Sequence, residues 1–204
     1  MATLQFMNEA DFQALLKPTR LWSRSEVLNG VCPLPREPGI YAWYFREIPP
    51  GVPTEGCIQA NGTTLLYLGI SPKKLPSNGS SANGRQLVSR VREHFKGNAE
   101  GSTLRLTLGC LLADTIQIEL RRVGSSGKRR TFGDGEHRLS EWMETNAFIT
   151  WFTVQEPWLL EQRLIAEVSL PLNLEHNQHH PFHSELSALR RHCRERADQL
   201  PVVA

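Results

Sequence analysis

The spacing of apolar residues changes along the chain, and each change marks an element. Residues 8–17 carry apolar positions at helical spacing, and Pro18 stops that helix. A loop rich in Pro and Gly runs on to Pro38 and Gly39. Residues 40–45, Ile-Tyr-Ala-Trp-Tyr-Phe, are aromatic and β-favouring without a break, which predicts a strand. Three prolines and three glycines make residues 48–63 a long connector, and a second strand is predicted at 64–70. Strands adjacent in sequence usually pair, so these two are expected to be antiparallel neighbours.

Beyond a polar loop at 71–84, helical spacing returns at 85–96, with Leu87, Val88, Val91 and Phe95 on one side and Gly97 at the stop. A second helix is predicted at 102–113, a strand at 115–123, a basic Gly/Ser turn at 124–135, a helix at 136–146 and a strand at 147–154. Pro157 suits the first turn of a helix to 168, which Pro171 closes, and a charged helix occupies 184–199. No repeat is present, and the pattern predicts an α+β fold. The 204 residues suit a single domain, with an N-terminal helix and loop at 1–37, a core with insertions at 38–177 and a helical tail at 178–204.

One position breaks the pattern. On the helix from Pro157, residues follow one another at about 100°. Trp158, Leu164, Ile165 and Val168 then lie within roughly 60° of Glu161, which puts this carboxylate in the apolar stripe. Such a group must be paired, protonated or bound to a metal. A buried Glu–Arg or Glu–Tyr pair satisfies that demand, and so does ligation of a hard divalent cation, Mg²⁺ or Mn²⁺.

Arg90 and His94 stand four apart on one helical face: a fixed fork of phosphate donors beside a proton-transfer group. Two exposed polar residues would show the same spacing. Tyr41 and Tyr67 fall in the two early strands, where tyrosines commonly pack half-buried.

Charge adds little. The net charge is +2, and the basic residues are local: Arg121, Arg122, Lys128, Arg129 and Arg130 bracket the Gly/Ser turn, and Arg190, Arg191, Arg194 and Arg196 crowd the last helix. Each cluster suits phosphate contact or plain solvated surface. The four cysteines are scattered with no CxxC pair, which argues against a zinc ribbon or disulfide framework and fits a reducing cytoplasm. No run of eighteen apolar residues is present to span a membrane, and residues 1–10 lack the marks of a signal peptide. His176, His179, His180 and His183 lie in a polar loop without a partner cysteine, which does not favour a second metal site.

Taken together, Gly39-Ile40-Tyr41 and Tyr67-Leu68-Gly69 resemble the two halves of the GIY-YIG nuclease signature, with Leu in place of Ile in the second. Arg90 to His94 resembles that family's Arg-x-x-x-His helix. Glu161 stands where the family has its metal-binding glutamate, and Pro171-Leu172-Asn173 resembles its closing segment. The resemblance covers about two-thirds of the chain. It implies a small, mostly antiparallel three-stranded sheet flanked by helices, and an endonuclease that hydrolyses phosphodiester bonds. It further implies that Glu161 holds one Mg²⁺ or Mn²⁺, that Arg90 clamps a phosphate oxygen, and that Tyr41 or His94 takes the proton of the attacking water. Tyr67 would hydrogen-bond the phosphate or water, and Asn173 would fix neighbouring groups. An ordinary tyrosine, with a pKa of about 10, is a poor base at neutral pH, so Arg90 or the metal would have to lower that of Tyr41.

The chain departs from the family pattern in its longer loop after Tyr67, which carries Lys73 and Lys74 as further candidates for nucleic-acid contact, and in the insertions before Glu161. Arg85 and Arg92 compete with Arg90, and Asn177 with Asn173. His94 points to the GIY-YIG restriction endonuclease branch, hence to double-stranded DNA as substrate, with a symmetric dimer as the arrangement that would cut both strands. A binding module that has lost catalysis and a single-strand- or structure-specific nuclease are the alternatives.

Overall fold

The computed structural model describes residues 9–72 and 86–203. Its centre is an antiparallel sheet in the order β2-β3-β1-β6, built from β1 (Gly39–Phe45), β2 (Gln59–Ala60), β3 (Thr63–Ser71) and β6 (Ala147–Thr153). β1 lies between β3 and β6, and Tyr41 is opposite Gly69 on one side and Trp151 on the other. The three long strands are those expected. The connector supplies a fourth, two residues long, at the edge.

Every residue of β1 is buried because helices cover both faces of the sheet. Tyr41, Trp43 and Phe45 point to the side of α3 (Leu87–Lys96), α4 (Thr103–Leu111) and α5 (Gly135–Asn146), and pack with Val91, Phe95, Leu104, Leu108 and Met143. Ile40, Ala42 and Tyr44 point the other way, against Leu15 and Leu16 of α1 (Glu9–Leu16) and Leu164 and Ile165 of α6 (Pro157–Glu167). A strand sandwiched in this way shows no alternation of apolar and polar residues, which is why its sequence reads as one apolar run.

Two departures from the sequence reading have simple causes. Residues 24–28, expected to be loop, form α2 (Arg24–Leu28), started by a reciprocal capping box between Ser23 and Glu26. The strand expected at 115–123 shrinks to β4 (Arg121–Val123). The chain leaves α4 through turns that bond Ile116 to Leu112 and Ile118 to Ala113, with Gln117 at φ 52°. Its alternating apolar residues Ile118 and Leu120 fill the core without joining a ladder. The basic turn is a hairpin, β4 with β5 (Arg129–Thr131), and Val203 adds a parallel bridge to Val123. The last helix, α7 (His183–Gln199), packs on α4 and β4. Among the described residues, no helix is long and apolar enough to cross a membrane.

Candidate active site

The two glycine-tyrosine pairs earn their residues sterically. A Cβ on Gly39 would collide with the Phe152 carbonyl oxygen and lie 2.6 Å from Leu87 Cδ1, so only glycine lets β1 meet both β6 and the start of α3 there. A Cβ on Gly69 would lie 2.5 Å from Tyr41 Oη and 2.6 Å from Cζ. The Tyr41 ring therefore lies across Gly69, in the gap its missing side chain leaves. Tyr67 projects from β3 onto the same face, its ring edge-on to His94 at 6.3 Å between centroids.

α3 brings its polar residues to this face. Its buried positions are Leu87, Arg90, Val91, His94 and Phe95, so Arg90 and His94 belong to the inward stripe rather than to solvent. His94 is fully buried, and Tyr41 is only 1% exposed. Tyr41 Oη and His94 Nε2 share a hydrogen across 2.9 Å. On the far side of the imidazole, Nδ1 and Ser102 Oγ share another across 2.6 Å. Ser102 is the N-cap of α4 and accepts from the Arg105 amide at 3.1 Å. The result is a buried line from tyrosine to histidine to a serine fixed by a helix start. Arg90 donates through Nη1 to Glu93 Oε2 at 2.9 Å and to the Gly101 carbonyl at 2.8 Å, while its guanidinium stands beside the Tyr41 phenol. Arg92 points elsewhere, to the Val27 and Leu28 carbonyls at the end of α2. Arg85, Lys73 and Lys74 lie outside the described residues.

Burial lifts the Tyr41 hydroxyl well above the ordinary tyrosine range. Tyr67 pushes the same way, Arg90 opposes, and Glu161 adds a further rise. Arg90 thus acts in the direction expected of it, but burial outweighs it, and Tyr41 is not a free phenolate near neutral pH. Glu161 itself is half-buried on α6. Among the described residues no three His, Cys, Asp or Glu side chains gather to enclose a metal. Mg²⁺ or Mn²⁺ commonly takes only one or two protein carboxylates and fills its other positions with water and phosphate oxygens, so Glu161 would suffice as its protein ligand.

Asn173, expected to fix neighbouring groups, acts on the backbone of β3. It is buried, and its amide is spent on the Leu68 backbone, accepting from the amide at 2.9 Å and donating to the carbonyl at 2.8 Å. Asn177 ties its own loop through the Leu170 and Asn173 carbonyls. Of the basic hairpin residues, Arg122 donates to the Ala197 and Leu200 carbonyls, Arg121 to the Pro201 carbonyl, and Arg130 pairs with Asp198 at 2.7 Å. These three hold the C-terminal segment, and Lys128 and Arg129 are the exposed pair. His180 accepts from the Phe182 amide and bonds Ser169, and so orders its loop. Sequence reasoning missed Ser102, although a serine before a helical run is a readable N-cap signal.

A model of the GIY-YIG catalytic domain matches residues 39–192. The chain belongs to this family and is a nuclease of the GIY-YIG kind, acting on nucleic acid. The match begins at Gly39 of the first motif and ends inside α7. Searches of curated proteins and of solved structures returned no match.

Proposed function

We propose that the chain is a divalent-metal-dependent endonuclease that hydrolyses phosphodiester bonds in DNA, with Tyr41, Tyr67, Arg90, His94 and Glu161 as its reacting set. The observation that carries this reading is the buried Tyr41–His94–Ser102 line, with Arg90 beside its phenol.

The raised pKa of Tyr41 sets the order of proton movement. A phenol that cannot ionise alone still accepts a proton while it gives one up. Tyr41 takes a proton from the attacking water as its own passes to His94 Nε2, and Nδ1–H, held on Ser102 Oγ, supports the imidazolium that forms. The resulting hydroxide forms a bond to phosphorus as the bond to the leaving oxygen breaks. Tyr41 and His94 thus share the base role that the motif alone leaves between them. Arg90 neutralises a non-bridging oxygen, with Glu93 and the Gly101 carbonyl fixing its fork. Tyr67 donates to the phosphate or the water. Glu161 would hold the Mg²⁺ or Mn²⁺, which supplies charge stabilisation to the transferring phosphoryl group and the leaving oxygen. Asn173 is a positioning residue: by clamping Leu68 it sets Tyr67 and Gly69 on either side.

A role in restriction or defence, and a symmetric dimer that cuts both strands, follow from the branch that His94 resembles. A gene for a DNA methyltransferase beside this one would favour that role. The four free thiols suit a reducing cytoplasm. The central test is Mg²⁺-dependent nicking of supercoiled plasmid. We expect Glu161→Ala to abolish it with the melting curve unchanged. A wild-type protein that binds no Mg²⁺ or Mn²⁺ and cuts neither DNA nor RNA with either ion would overturn the proposal.

A further inference from the structure

At the outer edge of β6 lies a groove of about 550 Å³, lined by Gln13, Lys17, Arg20, Trp22, Thr150 and Trp151 among others. Its two charged side chains are both cations. The cleft at Glu55 and Glu167 carries acids instead, and that at Asp114 and Glu119 sets two acids against Arg196. Two half-buried indoles form one wall, the Trp22 and Trp151 rings 6.0 Å apart and inclined at 39°. The Arg20 guanidinium lies over the Trp22 ring, 3.6 Å from its centroid. Glu26, held in its capping box, fixes the guanidinium at 2.8 Å, yet the Arg20 side chain stays 57% exposed. Trp22 is itself anchored, its backbone exchanging two 2.9 Å hydrogen bonds with Ile149 of β6. The platform is therefore built before any ligand arrives, with a flat cation outermost and Lys17 beside it.

We propose that this groove seats an unpaired nucleobase and its phosphate, on the strand that enters the active site. Flat cationic and aromatic surfaces stack bases whatever their sequence, and neighbouring cations take the backbone charge. The proposal rests on the nuclease reading and adds a substrate preference to it. Trp151 is in register with Tyr41 on adjacent strands, so both project from the same face of the sheet. The Tyr41 ring leans away from β6, over Gly69 on β3. Two strand spacings, roughly 10 Å, then separate Trp151 from the Tyr41 hydroxyl. Stacked nucleotides advance about 3.4 Å along a strand, which puts the seated base two or three nucleotides from the bond to be cut. Seating it requires a strand that is single or opened at that point.

Binding of a 20-nucleotide single strand carrying a central 2-aminopurine tests this in EDTA, where no cleavage intervenes. Anisotropy of an end label reports affinity, and 2-aminopurine emission reports stacking. Wild-type protein should quench the emission on binding. Lys17→Ala with Arg20→Ala should weaken binding about tenfold or more and restore emission; Trp151→Phe, which keeps the packing, should restore part of the emission. Affinity within twofold of wild type in the double variant, or emission quenched equally by all three proteins, overturns the proposal. Loss of binding in the variants of a chain that cuts nothing would uphold the groove and defeat the nuclease reading. Unchanged binding in a chain whose nicking depends on Glu161 would do the reverse.

Discussion

Two buried arginines, fifteen residues apart, differ in what surrounds them. Arg105 on α4 is fully buried and saturated. It meets Glu136 at 2.7 Å and also donates to the Glu136, His94 and Phe95 carbonyls and to Ser140. Glu136 in turn accepts from the Ala99 and Phe132 amides. This knot joins the end of α3, the start of α4 and the start of α5. Arg90 on α3 is almost as buried, but its Nη1 carries two bonds, and the guanidinium stands against a phenol that burial holds neutral. A charge surrounded by its full set of acceptors is architecture. One held by Glu93, the Gly101 carbonyl and the Tyr41 phenol is tied to the groups proposed to react.

Substitutions should split the two. Arg90→Ala is expected to slow DNA cleavage by about 10²–10³-fold or more, the scale for losing one preorganised donor at a developing charge, while thermal unfolding moves little. Arg105→Ala should do the opposite, costing about 3–5 kcal/mol in denaturant unfolding because Glu136 is left behind without its partner. Arg105→Met with Glu136→Gln should recover much of that loss. A large stability loss from Arg90→Ala, or a pure rate loss from Arg105→Ala, would erase the distinction. Asn173 sorts with Arg105. Removing its amide strands a buried backbone N–H and C=O of Leu68, and Asn173→Ala should cost about 1–3 kcal/mol each, with any rate loss no steeper than the fold's. Ser102 belongs to both regions, as cap of α4 and support of His94. Ser102→Ala should lower stability by about 1 kcal/mol and the rate about tenfold. Ser102→Thr should restore both, whereas a Gly cap should restore stability alone.

What the sequence made legible follows the range of the interaction. α3, α6 and the three long strands announce themselves through local periodicity, and helical arithmetic singled out Glu161. His94 was a candidate from its spacing to Arg90, and the same arithmetic accounts for its burial: at about 100° per residue it lies roughly 20° from Leu87 and 60° from Val91, inside the apolar arc. β2 and the shortened β4 were not legible, because two- and three-residue strands exist only through their partners. The role of the basic hairpin was also out of reach. Arg121, Arg122 and Arg130 find their acceptors in the C-terminal segment, far along the chain, and no local pattern encodes that pairing.

The clamp of Asn173 on Leu68 bears on how the chain avoids sticking to its own kind. Beyond the two residues paired with β2, the outer edge of β3 meets the Ile58 carbonyl at the Leu65 amide, the Leu172 amide at the Leu66 carbonyl, and this side chain at Leu68. A strand with bare donors and acceptors is a template for any extended peptide that meets it. Asn173 presents an amide where a neighbouring strand would place its peptide group, so at Leu68 a side chain does the work of an edge strand. A variant cut short before residue 172 would bare that edge, and we would look for it among oligomers and aggregates rather than among slow enzymes.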